Sequence, residues 1–93
     1  MTVYVDDMFL EATVPNGSRR VHARWCHMLA DTREELDAMA DAIGLRRSWI
    51  QYPGTWREHY DVTESRRSAA VALGAVEITV LEMAEYRASK RAT

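Results

Sequence analysis

The stretch "NGSRRVHARWCHMLADTREEL", Asn16–Leu36, decides the class of fold. Asn-Gly between two extended segments signals a hairpin, because both residues tolerate the positive φ of a type I′ turn. "FLEATV" (Phe9–Val14) precedes it and "RRVHARWCHML" (Arg19–Leu29) follows. In the second arm, alternation puts Val21, Ala23, Trp25, His27 and Leu29 on one face, read as inward. His22, Arg24, Cys26 and Met28 fall on the other. The period then changes. Thr32 is placed as an N-cap, with Glu35 three residues later completing a capping box. Leu36, Met39, Ala40 and Ile43 recur at helical spacing, and Gly44 is placed to end the helix.

Outward from this core the elements alternate. "TVYVDDM" (Thr2–Met8) reads as a strand closed by Asp6 and Asp7. "RRSWIQYP" (Arg46–Pro53) reads as a short strand stopped by Pro53-Gly54, and "GTWREH" as a loop. A second helix follows Thr63, "ESRRSAAVALG", ended by Gly74, and its apolar "AAVAL" run predicts deep packing. "AVEITV" is a further strand, and "LEMAEYRASKRAT" a C-terminal helix fraying into a basic tail. No turn residue separates those last two segments, so one continuous helix is the alternative there. Asp31-Thr32, helix, Gly44, strand echoes Asp61-Val62-Thr63, helix, Gly74, strand, which favours some parallel pairing. The expectation is an α/β (or α+β) fold with a small mixed sheet of 3–5 strands, a β-hairpin and two to three helices. Residues 1–80 form a single α/β domain, and the helix and tail of 81–93 belong to it.

Composition narrows the function classes. The 93 residues are 47% hydrophobic and 28% charged, with a net charge of −2. That allows one small domain with a thin core, for which homo-oligomerisation is a standing expectation. The balance argues against a general nucleic-acid coat protein, although not against a local basic patch. A single cysteine, Cys26, excludes an intrachain disulfide and a CxxC zinc site. Without an activating base Cys26 reads as inert. The opening "MTVYVDDMFL" lacks the pattern of a secretory leader, and no apolar run reaches membrane-spanning length. The expected setting is cytoplasmic.

Candidate chemistry gathers at strand ends. Asp6, Asp7, Asp31, His59 and Asp61 lie where strands meet helices, and ligands of open α/β sheets gather outside the carboxyl ends of strands. Three acidic ends are expected to converge there with His27 and His59. Asp6, Asp7 and Asp61 are candidate metal ligands, and His27, His59 and Asp61 candidate catalytic groups. Each Asp beside a Thr also serves simply as a cap. "HYDVTESRR" (His59–Arg67) breaks a local rule, because arginines at a helix start oppose the helix dipole. Arg66 and Arg67 either pair with Asp61 or Glu64, or bind an anion with His59 and the helix N–H groups. Trp56, in a Pro/Gly loop, is a further candidate contact.

"VYVDDM", "W-C-H-M-L-ADT-x-E-E-L", "A-x-x-I-G-L-R-R-x-W-x-Q" and "HYDVT-x-x-x-R-x-x-A" followed by "GAVE" resemble a family of short uncharacterised proteins of actinobacteria and their phages, a domain of unknown function. The resemblance covers residues 2–78 and fades beyond 80, which implies a C-terminal helix particular to this chain. Ile50 stands where the resemblance implies an aromatic. The recurring residues match Asp6, Asp7, Trp25, His27, Asp31, His59, Tyr60 and Asp61, and no reaction or cofactor follows from them.

Three readings result. The first is a binding module for a phosphate-bearing ligand, a nucleotide or nucleic-acid end, requiring no cofactor. The second is a phosphoesterase or nuclease using Mg²⁺ or Mn²⁺. The third is a phage-type protein that binds a host protein through Trp56 and the C-terminal helix. None involves a membrane.

Overall fold

The computed structural model describes residues 2–16 and 18–91. The turn expected at Asn16-Gly17 falls in part on Gly17, which lies outside them. The chain forms β1 (Val3–Val5), β2 (Leu10–Asn16), β3 (Arg19–Ala30), α1 (Arg33–Ala42), a 3₁₀ turn (Arg47–Trp49), β4 (Tyr60–Thr63), α2 (Glu64–Ala72), β5 (Val76–Glu77) and α3 (Val80–Arg91). This is an α+β arrangement with one mixed five-stranded sheet and three helices.

The hairpin arm β3 organises the sheet. Its first half pairs antiparallel with β2, from Asn16↔Arg19 to Leu10↔Trp25. Its second half pairs with β1, from Met28↔Val5 to Ala30↔Val3. On the other edge it pairs with β4, from Trp25↔Thr63 to Met28↔Tyr60. Trp25 faces both β2 and β4, and Met28 both β1 and β4, so β1 and β2 share one edge of β3. The chain steps between them at Asp6–Phe9, where Phe9 takes a left-handed φ of 46°. β5 adds to β1 in parallel, through Tyr4↔Val76 and Val5↔Glu77. α2 is therefore a crossover from β4 to a parallel strand beyond β1, which the echo of the two halves predicted for this half.

The main core lies between the sheet and α1 with α2. Val3, Val5, Cys26, Met28, Ala30, Tyr60 and Val62 of the sheet meet Leu36 and Ala40 of α1 and Ala70 of α2. The Cys26 side of β3 is thus the helix-packed face, whereas the sequence pattern put the Trp25 side inward. α3 covers part of that opposite face. Its Tyr86 ring lies 4.6 Å from Tyr4, and its Lys90 Nζ donates to the Ala30 carbonyl at 2.6 Å. Layers on both sides explain why burial of β3 changes from alternating in its first half to nearly continuous after Trp25.

Both expected caps form. Thr32 Oγ1 accepts from the Glu35 N–H at 3.2 Å and donates to Glu35 Oε1 at 2.9 Å. Thr63 Oγ1 accepts from the Arg66 N–H. Gly44, at φ +82°, lets Leu45 N–H return to the Ala40 carbonyl at 2.8 Å, closing α1 as a C′ glycine does.

Three expectations are corrected. "RRSWIQYP" is no strand: it is the 3₁₀ turn followed by the isolated bridge Gln51↔His59, so the first half of the echo has no second strand. "AAVAL" is not deeply packed: Ala70 is buried, but Leu73 is 58% exposed. The final segment is neither a six-residue strand nor a single helix. It has the two-residue β5 and then α3, which opens on a capping box: Thr79 Oγ1 accepts from Glu82 N–H at 3.1 Å and Glu82 Oε1 from Thr79 N–H at 2.8 Å, while Asp7 Oδ1 accepts from Val80 N–H at 2.8 Å.

Candidate functional site

Cross-strand register builds the site. His27↔Asp61 is a paired position, so both side chains stand on the same face of the sheet. Asp6 follows directly after β1. Its N–H donates to the His27 carbonyl at 3.1 Å, and its Oδ1 accepts from the His27 N–H at 2.9 Å. Asp6, His27 and Asp61 therefore form a row across three strands. His59 precedes Asp61 by two residues and joins the row, its ring 5.2 Å from that of His27 in edge-on contact. The intervening Tyr60 points into the core. The motif "HYD" is thus a strand alternation in which the first and third residues serve the site.

The hydrogen bonds dictate which imidazole nitrogens carry protons. His27 Nδ1 lies 2.7 Å from Asp6 Oδ2, and His59 Nδ1 lies 2.8 Å from the Arg57 carbonyl. A carboxylate and a carbonyl only accept, so both Nδ1 atoms are donors, which leaves Nε2 as the nitrogen of each ring that can face a metal. His59 Nε2 lies 3.3 Å from Asp61 Oδ1, a second acceptor, so a proton or a metal cation must stand between them. One ligand atom from each of His27, His59 and Asp61 lies within 4.8 Å of the other two. Burial pushes the Asp6 carboxyl up, but its bonds from His27 outweigh this and hold it below the usual value. Asp61 behaves alike: burial raises it, and His59, then His27 and Arg87, bring it down. Both are carboxylates at neutral pH.

Arg87, from α3, closes the site. Its Nε and Nη2 are buried with no hydrogen-bond partner among the described residues. Burial depresses its pKa, the Arg57 charge adds to this, and Asp6 and Asp61 oppose it. Arg87 also lines a groove of about 370 Å³ with Trp56, Arg57, Ala84, Ala88 and Arg91. On the sheet side Asp61 lines two smaller clefts. One, of about 210 Å³, runs along Met8, Leu10, Trp25 and His27. The other, of about 190 Å³, is bounded by Trp25, Trp49, Gln51 and Arg66. The loop leading into β4 includes Tyr52, held at a left-handed φ of 51° between the Arg57 guanidinium at 4.1 Å and the His59 ring at 6.1 Å. Strain of this kind concentrates at functional sites.

Of the residues singled out from the sequence, Asp6, His27, His59 and Asp61 come together. Asp7 caps α3 instead. Asp31 is at the opposite end of the sheet, because β3 runs antiparallel to β1; it accepts from Thr2 N–H and the Tyr86 hydroxyl. Arg66 donates to the Ile43 carbonyl at the C-terminus of α1. Arg67 is buried against the Phe9 ring, donating to the Asp6 carbonyl at 2.7 Å and to Glu77 at 2.9 Å. Trp56 borders the groove, with Arg57 and Arg91 near its ring. Cys26 accepts from the Phe9 N–H, and burial pushes its thiol up. Arg57 and Arg87 carried no flag in the sequence. The available signal was the stripe Ala84, Arg87, Ala88, Arg91, small and basic residues at helical spacing.

Residues 3–90 match the family described as "Protein of unknown function (DUF4031)". The chain belongs to that family. The match reaches residue 90, so α3 is part of the family domain, not an addition particular to this chain. No curated protein and no solved structure matches the chain. Among the described residues of this family member, no helix is long and apolar enough to cross a membrane.

Proposed function

We propose that this domain is a metal-dependent phosphoesterase whose ion is held by His27, His59 and Asp61. The observation that carries the reading is the convergence of those three donors within 4.8 Å, with both Nδ1 atoms already engaged. Two imidazoles and one carboxylate favour a first-row transition ion over Mg²⁺, which prefers oxygen ligands. This re-sorts the candidates read from the sequence: the histidines are ligands, and Asp6 orients His27 from behind, as carboxylates do for metal-bound histidines.

A metal with three protein ligands and open positions lowers the pKa of bound water towards about 7 and so supplies a hydroxide nucleophile. Asp6 keeps His27 in the ligating tautomer, and the Arg57 carbonyl does the same for His59. Arg87 places positive charge beside the centre, where the phosphoryl oxygens gain negative charge. In the hydrolysis the water oxygen bonds to phosphorus, the ester P–O bond breaks, and the alcohol leaves with a proton.

The test is calorimetric titration of EDTA-treated protein with Zn²⁺, Mn²⁺, Co²⁺ and Mg²⁺, followed by hydrolysis of p-nitrophenyl phosphate with each ion. We expect a 1:1 site that prefers Zn²⁺ or Co²⁺ to Mg²⁺ and is lost in His59→Ala and Asp61→Asn, with hydrolysis requiring the ion. No metal binding, or binding that survives both substitutions, overturns the assignment. Metal binding without hydrolysis overturns the enzymatic part alone.

A further inference from the structure

The groove between the β4 entry loop and α3 is chemically distinct from the donor cluster beside it. The chain as a whole carries a net charge of −2, yet three arginines, Arg57, Arg87 and Arg91, line this one groove. Among the described residues Arg91 has no ion pair, and neither has Arg57 or Arg87. A cationic groove of this kind attracts and concentrates anions.

Arg87 points more specifically. Nε and Nη2 form one edge of the guanidinium, the edge that grips two oxygens of a single phosphate or carboxylate. Here that edge is buried and has no hydrogen-bond partner among the described residues, although Asp6 and Asp61 act on it by charge. Buried donors of a charged group are nearly always satisfied in folded proteins, and leaving them unsatisfied is costly. The edge is closed to solvent, so an anion in the groove satisfies it once the Arg87 side chain turns towards it.

Trp56 adds the second half of the ligand. It is 37% exposed and sits on the rim of the same groove. Its loop is braced: Gly54 N–H and the Arg33 guanidinium both bond Glu58 Oε1, and Thr55 Oγ1 donates to the Tyr52 carbonyl. An aromatic ring on such a braced loop, with Arg57 and Arg91 beside it, is a stacking platform for a planar base.

We infer that this groove is the substrate-recognition subsite and takes a nucleoside monophosphate, its phosphate on Arg57, Arg87 and Arg91 and its base against Trp56. The inference rests on the phosphoesterase reading for the fate of the ligand, but binding is measured without metal, so the two fail separately. The experiment titrates EDTA-treated protein with 5′-AMP, inorganic phosphate and adenosine, following tryptophan fluorescence and heat. The expected result is saturable quenching by 5′-AMP, binding of inorganic phosphate at least tenfold weaker, and none of adenosine. Trp56→Phe should remove most of the quenching, and Arg87→Ala should raise the Kd for 5′-AMP at least tenfold. Should Arg87→Ala not fold, Arg57→Ala with Arg91→Ala, both at exposed positions, is expected to give a similar loss. Silence towards 5′-AMP overturns the inference, as do equal binding of phosphate and 5′-AMP or an unchanged Kd in the arginine variants. Retained 5′-AMP binding in a protein that takes no metal leaves the subsite standing and removes the hydrolytic reading.

Discussion

Asp6 accepts bonds of three kinds, two on its carboxylate and one on its main-chain carbonyl. Oδ1 accepts from the N–H groups of His27 and Met8, Oδ2 accepts the His27 Nδ1–H, and the same residue's carbonyl takes Arg67 Nε. In the proposed metal site such a group would position His27 without touching the ion. Asp6→Asn should therefore leave a folded protein whose Zn²⁺ affinity, measured by calorimetry, falls by about 10–100-fold. An unchanged affinity assigns Asp6 to the fold alone. Tyr60 makes the opposite case. Its hydroxyl donates to Asp37 Oδ1 at 2.7 Å inside the core, and burial, then Asp37, raises its pKa. Tyr60→Phe should cost about 1.5–3 kcal/mol in chemical denaturation, the range for a hydrogen bond to a charged partner, and leave metal binding unaltered. The residue types at the site were legible in the sequence, since Asp6, His27, His59 and Asp61 were all named from it. The division of labour was not, because it depends on which nitrogen meets which acceptor. The arginines of "SRR" were misplaced at a helix start only in one dimension. In space Arg66 reaches the C-terminal carbonyl of α1, where a cation is favourable.

At the level of elements, local signals were read correctly at both ends of α1 and α2, whereas the capping box of Thr79 and Glu82 that opens α3 was missed. Thr32, Thr63, Gly44 and Gly74 bound their helices as read, because capping is a bond between near neighbours. Thr32→Ala should lower stability by about 0.5–2 kcal/mol without changing ligand binding, since the bonds of its hydroxyl go to Glu35. A loss of binding with no shift in denaturation midpoint assigns Thr32 to the site. Strand formation was less legible because it needs a neighbour. "RRSWIQYP" has β-forming residues, but its pairing among the described residues is the isolated bridge of Gln51 to His59, just ahead of β4, and Arg47 is drawn back onto Asp41 at 2.8 Å. Face assignment of β3 failed for a related reason. Alternation separates the two faces but cannot say which is covered, and here α1 and α2 took the Cys26 side while α3 took part of the other.

On the scale of the whole molecule the sheet separates two jobs. One face holds the core, and the other carries the donor row, roofed at one side by α3. Removing ionised Asp6 and Asp61 from water is tolerable only while their histidine partners are in place. Both carboxyls have folded pKa values below the unfolded one. Their contribution to stability is therefore present above the unfolded value, about 3.9, and is lost as pH falls through the lowered folded value. Metal-free protein should accordingly lose stability below about pH 4 through these two groups. Metal adds a second dependence at higher pH, because the ligands must be deprotonated to bind it. At a free Zn²⁺ concentration of 100 times Kd, binding only the folded state stabilises it by about 2.7 kcal/mol. For a domain of this size that corresponds to a rise in Tm of about 10–20 °C. We expect that rise at neutral pH, its disappearance on acidification before the metal-free protein itself unfolds, and its absence in His59→Ala. A rise of equal size in His59→Ala places the ion elsewhere. A rise that persists until the protein unfolds in acid removes imidazole from the coordination and leaves an oxygen-only site.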